Sequence, residues 1–253
     1  KSGDTPGAQV ITDTVRRLNA MVKRWQKKPG MRVWTVTEAT LFPQASQVKY
    51  ALSSSSTDHA TESYYETAVA TATSSGATTI PLDSTTNITV ADNIGIKLDD
   101  GTIHWTTVSS KTSSNVVIAS AIVDDAAADN VVFTYTTKIV RPLKIVDARR
   151  RNIASGTETP ISESQGSLMA RLDYMALPNK TQTGTINRAF YDPQRDTGYL
   201  YLWQPPTTVT DLVPFTFHRP LMDFDNASDN PDLPQEWADP LTYNLAVSIA
   251  PQF

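Results

Sequence analysis

The sequence predicts an α+β protein, a helical scaffold with an antiparallel β meander, interrupted by a small all-β barrel or sandwich. Three observations predict this. Apolar residues recur at helical spacing near both ends of the 253-residue chain. Between about 65 and 136 helix signals vanish, and Thr, Ser, Val and Ala dominate. After 137, several strand-length segments alternate polar and apolar residues, with proline-rich turns between them.

The first helix is the clearest element. Asp4 or Thr5 can cap it, and Pro6 suits a first turn. Ile11, Val15, Leu18, Val22 and Trp25 then draw one stripe down the helix, with Leu18 and Trp25 as core anchors. Lys27, Lys28, Pro29 and Gly30 stop it. Residues 33–42 and 48–52 read as strands flanking a turn, and the polar stretch 53–63 as a linker.

Residues 65–136 hold six strand-length segments separated by turns, which reads as an inserted domain. Within them, Asp100-Gly101 predicts a tight hairpin. The scaffold accordingly comprises 1–64 and 137–253. In its second part, 138–151 reads as a strand ending in Arg149-Arg150-Arg151, and 163–174 as a short helix. NRAFYD, GYLYLW and LVPFTFHRP read as three strands of one meander. An acidic loop follows, then a last helix from near Pro234 whose Trp237, Leu241, Leu245 and Ile249 share a face; Trp237 and Leu241 are its core anchors. Val140-Arg141-Pro142-Leu143 and His218-Arg219-Pro220-Leu221 read as one strand-end chemistry used twice.

Composition bounds the function. Hydrophobic residues make up 40% of the chain and charged residues 19%, ordinary values for a folded protein. No run of about 18 apolar residues exists to cross a membrane. The opening KSGDTPGAQV has no apolar signal region, and the ends at Lys1 and Phe253 read as cut from a longer chain. Cysteine is absent, which removes disulfides and thiolate metal sites. The net charge of −4 gives no overall attraction to nucleic acid.

That charge is segregated. Residues 14–32 carry seven bases and no acid, among them Arg16, Arg17, Lys23 and Arg24. Residues 223–239 carry six acids and no base, among them Asp223, Asp225, Asp229 and Glu236. These eight residues form the candidate subunit or portal interface, meeting within or between subunits; equally, they can be two solvated faces.

Catalytic chemistry is not legible. His59, His104 and His218 are scattered and no HExxH, GxSxG or glycine-rich phosphate loop occurs, so no catalytic residue, cofactor or metal is assigned. Asp225 to Asn230 with Glu236 matches part of a calcium loop, but Ala227 fills a ligand position and Asn230 the turn glycine's place. Glu62 and Glu66 make an acid pair that spacing alone cannot support as hydrolytic. The basic helix and the arginine triplet are the two hooks for nucleic acid.

Taken in order, LNAMVKRWQ, WTVTEATLFP, LDDGTIHWTTV, TTKIVRPLKIVDARRR, LPNK, YDPQ…GYLYLWQPP, FTFHRPLMDFD and PQEW…YNLAVSIAP span nearly the whole chain. The pattern resembles the head-to-tail adaptor (tail accessory factor) proteins of short-tailed and related tailed bacteriophages. The resemblance implies a structural virion protein and not an enzyme. It implies a ring, expected to hold twelve copies, at the head-tail junction or neck, joining the portal protein to the tail hub, nozzle or tail tube. Such a ring extends the channel through which packaged DNA passes, without sequence-specific binding, and helps retain the genome. The alternatives are a virion-associated peptidoglycan hydrolase and a DNA-binding assembly factor using the basic helix. If the segregated charges mediate assembly, reversing Arg16 and Arg17 to Glu shifts the assembly midpoint and its salt dependence, as read by sedimentation.

Overall fold

The computed structural model describes residues 7–26, 35–161, 168–226, 228–230 and 232–250. The chain forms two compact units, one from the residues up to Val36 and from Arg219 onward, the other from Thr37 to His218.

In the first unit, α1 (Ala8–Gln26) and α3 (Ala238–Ile249, entered through a 3-10 turn at Gln235–Trp237) share one small core. The helices run antiparallel: Trp25 at the end of α1 meets Trp237 at the start of α3, and Arg17 reaches Ser248 at the far end of α3.

The second unit is built from antiparallel strands. A five-stranded sheet has the order β11 (Glu158–Pro160), β10 (Lys144–Asn152), β14 (Asp211–His218), β1 (Val36–Leu41), β3 (Ala60–Thr61). A three-stranded sheet has the order β12 (Arg188–Pro193), β13 (Gly198–Trp203), β2 (Lys49–Leu52). Alternation turns one side of each strand inward. Phe215 and Phe217 of β14, Leu200 and Leu202 of β13, and Tyr50 and Leu52 of β2 are thereby buried in one shared core. α2 (Arg171–Ala176) lies against β12 through Tyr174 and Phe190.

The expected helical scaffold is therefore mostly strand. Helical spacing marks α1 and α3, but the residues between them that are not in turns favour β-branched and aromatic side chains. Of the expected 163–174 helix only residues 171–174 fall in a described helix, which runs Arg171–Ala176, and 162–167 lie outside the described residues. The three-strand meander is also corrected. β12 and β13 do form a hairpin, but β14 crosses to the other sheet beside β10, and β2 takes the free edge of β13.

The stretch 53–63 is no free linker. Asp58 accepts from the Ala51 N–H at 2.6 Å and from the Gln47 amide at 2.7 Å, Lys138 donates to the Ser56 carbonyl at 2.6 Å, and Thr61 pairs with Thr40. Hydrogen bonds order this polar segment where apolar burial does not.

Residues 65–136 contain the six expected strands: β4 (Tyr65–Ala68), β5 (Thr79–Pro81), β6 (Asn93–Lys97), β7 (Ile103–Lys111), β8 (Asn115–Ile118) and β9 (Val131–Tyr135). They make one sheet in the order β4-β9-β6-β7-β8-β5, a half-barrel whose two edges touch where Val69 bridges Leu82. Ile80, Ile94, Ile96, Val116 and Val132 fill its concave side. The Asp-Gly hairpin between β6 and β7 is a three-residue loop: Leu98 pairs with Thr102, and Gly101 takes φ +85°, which favours glycine.

The outer side of this sheet is apolar as well. Phe133, Tyr135, Trp105 and Ile103 pack against Phe42, Val209 and Leu212 of the sandwich. Phe42 sits at the centre, its ring centroid 5.0 Å from Phe133 and 5.1 Å from Trp105. Phe42→Ala is expected to destabilise the second unit by about 3–5 kcal/mol, the usual range for a buried phenylalanine, as a leftward shift of its urea transition.

Candidate functional site

The eight expected interface residues all fall in the first unit, so the site is built from there. α1 forms because its apolar stripe has a partner; a helix of this length is marginal alone. Met21 and Val22 are buried, and Val15, Leu18 and Trp25 are half-buried against Leu241 and Leu245 of α3 and Leu221 and Phe224 of the extended segment. All four expected anchors thus lie together, with Trp25 and Trp237 edge to face at 5.9 Å. Ile11, the first residue of the stripe, is exposed.

Polar groups lock the same packing, and the most specific of them carries no mark in the sequence. The Asn19 amide donates to the Phe224 carbonyl and accepts from the Phe224 N–H, both at 2.8 Å, so one side chain imitates a strand neighbour. Asparagine inside a helix is ordinarily unremarkable in sequence, so nothing distinguished it.

The charges divide unequally. Lys23 donates to the Leu221 carbonyl at 2.7 Å and pairs with Asp223 at 2.9 Å, the one pair from the expected set that forms within the chain among the described residues. Arg17 donates to the Ser248 carbonyl at 2.7 Å, near the electronegative end of α3. Arg16 pairs with Asp13 one turn earlier on α1, and Arg24 is exposed. Asp229 turns back on its own loop, accepting from the Asn226 and Asp225 N–H groups, which hold its carboxyl below the usual range, Asn226 foremost. That use of Asp229 competes with any cation the loop could hold. Asp225 and Glu236 are exposed. Asp232, outside the expected set, forms a two-pronged pair with Arg219 that draws its carboxyl pKa down against the opposing effect of burial.

What sequence reasoning missed is the second face of α3. Leu241 and Leu245 turn inward, while Tyr243 and Val247, one turn apart, are 72% and 75% exposed. A helix apolar on both sides is half of a contact with something else. The signal was present in YNLAV, but the spacing of four along Trp237, Leu241, Leu245 and Ile249 marks the other face.

The other expected hooks are engaged in the second unit. Arg149 pairs with Glu38 at 2.7 Å and Glu158 at 3.3 Å, Arg150 approaches Asp211 at 3.9 Å, and Arg151 donates to the Tyr64 hydroxyl at 2.9 Å. The triplet braces β10 and does not present a free cationic patch. Glu66 lines an open groove of about 550 Å³ with Asp83, Lys97, Asp129 and Asn130, which mixes charges without a distinct acid-base pair. No group of three or more metal-ligating side chains is assembled among the described residues, and no described helix is long and apolar enough to cross a membrane.

His104 lies on β7 beside Ser120. His59 stacks on Trp105 at 3.9 Å and shares a 2.6 Å hydrogen bond with the Tyr135 hydroxyl. Burial first, and the Lys138 ammonium second, lower its pKa to about 3.

Searches of protein-family models, curated proteins and solved structures return no match to this chain.

The depressed His59 pKa fixes a pH dependence. The unfolded chain takes up this proton below the ordinary value of 6.5, the folded chain only near 3. Stability from this site is therefore full above 6.5 and is lost as pH falls towards 3, at about 1.4 kcal/mol per pH unit in that window. Urea melts between these limits should show a steeper loss for the wild type than for His59→Gln. Equal slopes would mean that the folded protein accommodates the imidazolium.

Proposed function

We propose that the chain is a structural subunit of a virion ring, a head-to-tail adaptor at the neck of a tailed bacteriophage, and not an enzyme. The observation that carries this reading is the exposed apolar face of α3. A subunit in a ring offers one surface to a different surface of the next copy, and such surfaces are apolar and unpartnered in the isolated chain. Tyr243 and Val247 fit that description, and Met222 is a further exposed apolar residue in the same unit.

The segments that carry the resemblance add support. LNAMVKRWQ forms the last half of α1, and PQEW…YNLAV forms the turn into α3 and α3 itself. These two distant segments pack on each other in the first unit, while the third specific part of the pattern, TTKIVRPL, lies in the second. In this reading α1 and α3 supply the helical layer of the ring, in about twelve copies, between the portal protein and the tail hub or nozzle. The β-sandwich carries the half-barrel, and the exposed Arg16, Arg24, Asp225 and Glu236 supply polar contacts at the rim of the interface. Packaged DNA passes through the channel without sequence-specific binding.

The test is the mass of the purified protein alone and after mixing with a portal ring. A second ring on the portal, in stoichiometric amount, is the expected outcome. Tyr243→Lys combined with Val247→Glu should abolish it while leaving the melting temperature within a few degrees, because neither side chain is buried in the subunit. Failure of the wild type to bind any portal, or full binding by the double variant, would overturn the reading.

A further inference from the structure

The open groove on the half-barrel plays no part in the assembly reading. Its floor is a row across three strands on the outer side of the sheet. Ala68 of β4 pairs with Val131 of β9, and the Ile96–Val132 pair sets Lys97 of β6 beside Val131. Val69, Ile96 and Val132 turn into the concave core, so their neighbours Ala68, Lys97 and Val131 face outward. Ile153 and Ala154, just past β10, and Asp129 and Asn130, just before β9, complete the lining. The groove holds about 550 Å³, room for a ligand of a few residues.

The charges along this row have opposite signs at its two ends. Lys97 stands at the β6 end, and Glu66 and Asp83 stand at the β4 end, two strand spacings or roughly 10 Å away. Asp83 is placed there by its N–H, which donates to the Ala68 carbonyl at 3.0 Å. Glu66, Asp83 and Asp129 are exposed and Lys97 is half-buried. Among the described residues none of these four side chains forms a hydrogen bond or ion pair. Asn130 differs, because its amide donates to Asp99 at 2.7 Å.

The main chain is open at the same place. The Val69 N–H donates to the Asn130 carbonyl at 2.9 Å, so the odd-numbered residues of β4 bond towards β9. The even-numbered ones face the sheet edge. There the Ala68 carbonyl is taken by Asp83, while the N–H and C=O of Glu66 have no partner among the described residues. A strand-edge peptide group of this kind is ready to bond another main chain.

We infer that this groove holds an extended peptide segment of a partner protein, with a basic side chain at Glu66 and Asp83 and an acidic one at Lys97. Three residues of extended chain span about 10 Å, which matches the separation of the charged ends. Ala68, Val131 and Ile153 accept small apolar residues between them, and the Glu66 peptide group bonds the main chain of the segment. Asp129 leaves the groove acidic as a whole, so a segment of net positive charge fits it best. A neutral sugar would match neither end. The inference rests on the half-barrel and not on ring assembly.

Titration of the isotopically labelled full chain with the blocked peptide acetyl-KKAAE-amide, followed through backbone amide NMR shifts, tests it. Shifts are expected around Glu66, Asp83, Lys97 and Val131 and should fade as salt rises. Lys97→Glu should weaken this peptide at least about fivefold and strengthen binding of acetyl-KKAAK-amide. Glu66→Gln with Asp83→Asn should weaken acetyl-KKAAE-amide about threefold or more. These side chains have no partner in the fold, so the variants should keep the wild-type melting temperature, and a gain for acetyl-KKAAK-amide cannot come from misfolding. The composition-matched acetyl-KKEAA-amide, its charges too close together, should bind about threefold more weakly or worse. No shifts in the wild type at millimolar peptide, shifts confined to residues outside the groove, equal binding of the two peptide orders, or stronger groove shifts with neutral cellotriose would overturn the proposal.

Discussion

Phe42 directly follows β1, its side chain fully enclosed by rings from both sides of a chain junction. Tyr64 precedes the half-barrel, Trp105, Phe133 and Tyr135 belong to it, and Val209 and Leu212 come from the sandwich. The N–H of Phe42 donates to the His59 carbonyl at 3.0 Å, and His59 in turn stacks on Trp105. Aromatic side chains give large burial with defined edge-to-face geometry, so this knot fixes orientation as well as attachment. The half-barrel has two apolar sides for that reason, one enclosing its own aliphatic core and one meeting Phe42. Gly95 belongs to the same arrangement: a Cβ there would lie 2.7 Å from the Trp105 indole, so glycine lets the ring lie flat on the sheet.

Local chemistry made much of this visible beforehand. The strands of the half-barrel followed from alternation and turn residues, and α1 and α3 from their stripes, because each signal lies within a dozen neighbouring residues. Pairing partners were invisible for the complementary reason. Nothing in LVPFTFHRP distinguishes a third meander strand from a strand that crosses to β10, since both need one buried face. The linker reading of 53–63 failed because polarity was taken for exposure, whereas Asp58 and Thr61 are ordered by hydrogen bonds. At the candidate site, Leu18, Trp25, Trp237 and Leu241 were legible as anchors. The outward Tyr243 and Val247 were not, because a helix with two apolar faces reads as one helix with a broad stripe.

Charge follows a common theme across both units: most of the conspicuous cations serve backbone carbonyls or local carboxylates. Arg17 and Lys23 each donate to a carbonyl of a segment far away in sequence, and Arg149 to Arg151 brace β10. Such bonds hold a chain together more effectively than exposed ion pairs, which contribute about 0–1 kcal/mol. Counting charges along the sequence therefore overstated the surface left for partners.

The antiparallel pairing of β4 with β9 has a consequence for the cost of making the sandwich. Thr61 bonds to the Thr137 carbonyl across a separation of 76 residues, and the Ile139 N–H to the Ala60 carbonyl beside it. Closing a flexible loop of that length would cost on the order of 4 kcal/mol in chain entropy. Tyr65 already sits opposite Thr134 within the half-barrel, so its two ends arrive side by side. To the sandwich, an excursion of more than seventy residues is thermodynamically equivalent to a short hairpin.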